Sequence, residues 1–128
     1  MIIEIDFRSE VPPARQIADA VTLRALTGAL APGSPLPDVR ELSLQLQVNP
    51  RTVEQAYRVL VEAGIAARQA GGEQLRIARD LPPAEEAGGA PIRRAMRSVL
   101  ERAGRMGLSR EMLQRTFRDL LEGYDAER

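Results

Sequence analysis

The stretch Asp38-Val39-Arg40-Glu41-Leu42-Ser43-Leu44-Gln45-Leu46-Gln47-Val48-Asn49-Pro50-Arg51-Thr52-Val53 decides the fold, because it holds two helix starts with only a tight turn between them. Asp38 can cap the first of these helices while Glu41, three residues on, reaches back as the other half of a capping box. Val39, Leu42 and Leu46 then form its buried stripe. Asn49 is a favoured N-cap, and Pro50 directly after it forfeits no helical hydrogen bond, so a second helix starts here. Val53, Ala56, Tyr57, Leu60 and Val61 give that helix an apolar face, with the Tyr57 hydroxyl at the core's edge, and Gly64 supplies a left-handed stop. The connecting Gln47-Val48-Asn49 is too short for antiparallel packing and suits a helix-turn-helix.

Toward the N-terminus, Pro12-Pro13 predicts a helix from near residue 14 to about residue 29, since Ile17, Val21, Leu26 and Leu30 recur at helical spacing. Arg15, Gln16, Asp19 and Arg24 fall on its polar side, and Ile2, Ile3 and Ile5 offer a short strand ahead of it. Toward the C-terminus, residues 65–68 and 74–78 can pair around Gly71-Gly72 as a two-stranded wing. Residues 81–91, rich in Pro, Gly and Ala, read as a linker. Beyond it, Ile92, Met96, Val99, Ala103 and Met106 mark an apolar seam on one helix, which Gly107-Leu108-Ser109 breaks. Leu113, Phe117, Leu120 and Tyr124 repeat the pattern on another. Two helices this short cannot build a core of their own, so a second copy of the chain is the simplest cover for the seam. Arg93, Arg94 and Arg97 read as a solvated basic face.

The expected class is therefore mainly α with a small β wing: a winged helix-turn-helix over 1–80, the linker over 81–91 and a two-helix dimerisation tail over 92–128. A length of 128 residues allows one compact domain and a short accessory element. The 44% hydrophobic and 28% charged content is that of a soluble chain, and the start Met1-Ile2-Ile3-Glu4 lacks the basic flank of a signal peptide, which predicts the cytoplasm and no membrane partner. Without Cys or His there is no thiolate nucleophile, no disulfide, no zinc finger and no Ser-His pair. Glu85-Glu86 stand in the linker with no nucleophile to serve, so neither enzyme chemistry nor a metal or cofactor is expected. Formal net charge is zero and all 18 basic residues are Arg, so nucleic-acid binding has to rest on where the charges sit.

Leu36-Pro37-Asp38-Val39-Arg40-Glu41-Leu42, Val48-Asn49-Pro50-Arg51-Thr52-Val53, Ala56-Tyr57-Arg58-Val59-Leu60 and Glu62-Ala63-Gly64 form a linked set. With Gln16-Ile17 and Gly28-Ala29-Leu30-Ala31-Pro32-Gly33 ahead of them, they resemble the GntR family of bacterial transcription regulators over about residues 12–78. Val-Asn-Pro before the recognition helix and a short tail with Gly-Leu-Ser are similar to its YtrA-type subgroup, whose members lack a large effector domain. The resemblance implies double-stranded operator DNA as partner, dimerisation through the C-terminal helices, and DNA contacts at Arg40, Asn49, Arg51 and Thr52. The chain departs from the pattern at Asp38 (often Ser), Pro50 (often Arg), Glu54 (often Arg or Lys), and at Gly71-Gly72-Glu73-Gln74, where the wing usually carries Gly-x-Gly-Thr.

The chemistry of these residues agrees with the resemblance, since free amides at a helix start attract phosphate and Arg or Asn can read base edges. Arg58 and Arg68 are better placed for phosphate or solvent than for bases. The rival reading is a winged helix that only binds proteins. The two part on whether Asn49, Arg51, Thr52, Gln55 and Arg58 face outward together. No effector is indicated, and any small-molecule control is expected at the tail or near Leu81.

Overall fold

Ile17, Val21, Leu36, Leu42, Val53, Leu60, Ile65 and Ile77 are the large side chains most completely shut off from solvent, and they come from three helices, one strand and the connecting segments between residues 17 and 77. The computed structural model describes residues 1–128 as six helices and one two-stranded antiparallel sheet. Its elements are α1 (Pro13–Leu26), α2 (Val39–Leu46), α3 (Pro50–Glu62), β1 (Ala66–Arg68), β2 (Leu75–Ile77), α4 (Ala84–Ala87), α5 (Gly89–Arg105) and α6 (Arg110–Glu127). They fall into two compact units, Met1–Met96 and Arg97–Arg128.

In the first unit, α1 and α2 both pack on α3. Both N-caps read from the sequence are in place, an Asp38 carboxylate oxygen accepting from the Glu41 amide at 2.8 Å and the Asn49 Oδ1 from the Arg51 amide at 2.9 Å, but the Glu41 side chain does not reach back to complete the capping box. Between them Gln47 takes the left-handed conformation, φ 56°, which lets the chain turn sharply into α3. β1 and β2 pair Ala66 with Ile77 and Arg68 with Leu75. The wing expected over 65–68 and 74–78 is thus formed.

Three local expectations need correction. α1 ends at Leu26, three residues before residue 29, because Gly28 at φ 83° turns the chain and brings the Leu30 amide back to the Arg24 carbonyl at 3.0 Å. The N-terminal strand is not formed, although Ile3 is buried. The outer edge of β2 is already taken: Leu36 donates to Leu75 and Ile77 donates to Ser34, each at 2.8 Å. Side chains hold the N-terminal arm instead. Gln16 bonds both the amide and the carbonyl of Asp6 and the carbonyl of Val11, and Arg24 donates to the Ile2 carbonyl. Finally, Val61 is 39% exposed and lies beside the apolar face of α3 rather than on it.

Within 81–91 the chain forms α4, and α5 begins at Gly89. Ala87 packs on the core of the first unit and Pro91 is buried. The second unit contains the rest of α5 and all of α6, whose start is capped by Ser109 accepting from the Met112 amide at 3.1 Å. Ala103 is its one buried residue, and α6 has none.

Candidate nucleic-acid interface

The outward side of α3 follows from its inward side. Val53, Ala56 and Leu60 are wholly buried, so the helical period turns Arg51, Gln55 and Arg58 to the opposite face, one above another. All three are exposed, as is Asn49 at the cap, while Thr52 is half-buried at the flank. Arg40 is exposed on α2. The side chains named from the sequence therefore do face outward together from α3 and its cap, apart from the partly covered Thr52, and Arg40 does so from the neighbouring helix.

The site's start is rigid in a useful way. Asn49 spends its carbonyl oxygen on the Arg51 amide, and Pro50 has no amide to offer, so the first turn of α3 presents few donors beyond its side chains. Arg40, Arg51 and Arg58 are held by no carboxylate of the chain, which leaves their guanidinium groups available. The same exposed face carries Glu54 and Glu62, and residues 1–80 hold nine arginines against ten carboxylates. Attraction to a polyanion must then come from the few free arginines at the helix-turn-helix and not from a broad basic field.

Tyr57 ties the two helices together. Its hydroxyl donates to the Pro37 carbonyl at 2.6 Å, and burial, reinforced by the nearby Asp38 and Glu41 carboxylates, pushes its pKa well above the ordinary tyrosine value. Beside it a hollow of about 310 Å³ separates α3 from the hairpin. Glu54, Arg58, Glu62 and Arg68 ring it, while Val39, Tyr57, Val61 and Leu75 line the rest.

One residue pair escaped the sequence reading. Asp19 is not on a solvated side of α1 but only 8% exposed, and Arg94, its side chain 30% exposed, turns from the solvated basic face to pair with it. The Arg94 Nε and Nη2 donate to the two Asp19 oxygens at 2.7 and 3.0 Å. Those hydrogen bonds raise the arginine's already high pKa against the cost of its partial burial. A carboxylate set among Ile17, Ala18, Val21 and Thr22 was the available signal, since a charge so placed needs a partner.

Two helices joined by a tight left-handed turn, a third packed across them and a two-stranded wing define a winged helix-turn-helix protein. A family model described as bacterial regulatory proteins of the gntR family matches residues 13–73. The chain is 29% identical over 117 residues to an uncharacterized HTH-type transcriptional regulator, YhcF of Bacillus subtilis (strain 168), covering 91% of this chain and 96% of that protein. It is 42% identical over 64 residues to the HTH-type transcriptional repressor YtrA of the same organism, a match spanning 50% of this chain and 49% of that one. Among solved structures it is similar to YtrA from Sulfolobus acidocaldarius, a GntR-family transcription factor, with a TM-score of 0.59 and 34% identity over 75% of this chain and 98% of the other. The chain belongs to the GntR family of regulatory proteins, which are not enzymes. No helix is long and apolar enough to cross a membrane.

Proposed function

We propose that the protein is a transcriptional repressor acting in the cytoplasm, which binds an inverted-repeat operator as a homodimer joined through residues 92–128. The observation that carries this reading is the outward row Arg51, Gln55 and Arg58 on α3, with Asn49 at its cap and unpaired Arg40 on the neighbouring helix. In the major groove, Arg51 has the reach and the two parallel donors to read a guanine edge, and Asn49 and Thr52 flank it in the same turn. Arg40 and Arg58 serve phosphates on either side. The name of the Bacillus subtilis relative, a transcriptional repressor, supports the sign of regulation. The exposed apolar residues Val99, Leu100, Phe117 and Leu120 support a second copy as the tail's partner.

Selection of bound sequences from random duplexes tests the reading. The expected product is an inverted repeat whose half-sites lie about one helical turn, ~34 Å, or a multiple of that apart. Recovery of no enriched sequence would overturn it in favour of a winged helix that binds proteins, a reading the balanced charge of residues 1–80 would then support.

A further inference from the structure

Asp19 is the one charged residue of the chain that is buried, and it joins α1 to an arginine 75 positions away near the start of α5. The pair is bidentate, Nε to Oδ2 and Nη2 to Oδ1. A planar fork of this kind fixes orientation about the contact as well as distance, which a lysine would not. Stability alone is a poor account of it, because a buried ion pair can often be replaced by apolar residues at no loss. Its surroundings also fix position. A Cβ at Gly88 would sit 2.8 Å from the Ala84 carbonyl and 3.4 Å from the Leu26 side chain at the end of α1. The Ala84 carbonyl leaves room only for glycine at this entry to α5, Leu26 of α1 packs at contact distance beside it, and Pro91 is buried in the next turn.

From this seat α5 runs without a break to Arg105 and carries Met96 and Val99 of the apolar seam. We propose that the Asp19–Arg94 fork is a positioning element: by fixing α5 on the winged-helix core it sets which half-site separation the dimer accepts. The inference rests on the reading that the tail joins two copies on an inverted repeat. The scale of the effect follows from helix geometry. Between Arg94 and Arg105 α5 advances ~16 Å at about 1.5 Å per residue, so a pivot of roughly 10° at the fork moves its far end by ~3 Å. That is close to the rise of one base pair, ~3.4 Å, and two-fold symmetry applies it in both subunits.

The test compares affinity for duplexes carrying the selected half-site at the selected separation and at separations one and two base pairs longer or shorter. The full-length wild type should prefer its own separation at least about fivefold, and Asp19→Asn and Arg94→Lys should reduce that preference to within about twofold. Affinity for a single half-site should not change, which separates positioning from a loss of fold. Because leaving one charge unpaired can unfold the unit, the double variant Asp19→Leu/Arg94→Met, which keeps bulk and removes both charges, is measured beside them. It should melt like the wild type yet lose the separation preference. A folded double variant that retains the full preference overturns the proposal. A wild type that selects no inverted repeat overturns both this proposal and the operator reading.

Discussion

The two compact units are built to opposite rules. Between Met1 and Met96, three helices and a hairpin close over eight large side chains that are almost wholly buried, and no buried polar side-chain atom lacks a partner. From Arg97 to Arg128, apolar residues recur just as regularly, but Val99, Leu100, Phe117, Leu120 and Tyr124 are each about half exposed or more. Periodicity alone therefore reports that a helix has an apolar face. Whether that face is already covered depends on how many other elements the chain can bring to it. The first unit brings several, and the second has two helices of 17 and 18 residues, the first of them shared with its neighbour.

The largest effect that could break this contrast is a cavity in the first unit. Leu60 is fully buried, and Leu60→Ala should cost about 2 to 5 kcal/mol in urea unfolding. A chain ended after Met96 should in turn unfold cooperatively at nearly the wild-type urea midpoint. If that shortened chain proves unfolded, the first unit is not self-sufficient and the contrast fails.

The next effect probes the second unit. Val99 is 52% exposed in a single copy, so Val99→Asp meets solvent there and has little reason to unfold anything. In a buried seam between copies the same carboxylate would be unpaired, at a cost of roughly several kcal/mol. Sedimentation equilibrium should then show a dimer for the wild type and a monomer for the variant at about micromolar concentration, with the first unit still folded. A variant that stays dimeric would place the joining surface elsewhere.

A smaller effect separates reading from attraction within the first unit. Arg51→Ala should lose ~1 to 3 kcal/mol of preference for the selected operator over random duplex, because one bidentate base contact goes. Arg58→Ala should weaken binding to both alike and lower the salt slope by about one. Neither residue touches the core, so melting temperatures should match the wild type. Equal losses on both DNAs for Arg51→Ala would make it a phosphate contact too.

Most of the first unit was legible because its signals are local. Asp38, Asn49-Pro50 and the Gly71-Gly72 hairpin each act within a few residues, and the structure has a cap or a turn at each. The outward row on α3 followed from the same helical period. What was hidden needed contacts distant in sequence. The Asp19–Arg94 fork joins residues 75 apart, and the 33–36 segment occupies the sheet edge that the isoleucines near the N-terminus would have used. Val61 looked apolar enough for the core, but the hairpin leaves it lining the hollow beside α3 instead.

The smallest effect sharpens the contrast by titration, since the chain has two tyrosines, one in each unit. Tyr57 is buried and its hydroxyl is bonded to the Pro37 carbonyl, whereas Tyr124 is 51% exposed. Burial keeps the Tyr57 proton on in the folded state at pH values where the unfolded chain, near the ordinary value of about 10, has begun to release it. Folding stability is therefore fully retained below pH ~10 and falls above it, by up to about 1.4 kcal/mol per pH unit. Tyr57→Phe should be less stable than the wild type by about 1 kcal/mol at neutral pH, having lost one hydrogen bond, but should show a flatter decline on the alkaline side. The two stability curves should converge as pH rises past ~10. Parallel curves for Tyr57→Phe and the wild type across that range would mean that the phenol between α2 and α3 is reached by solvent, and that the first unit is looser at its turn than its burial implies.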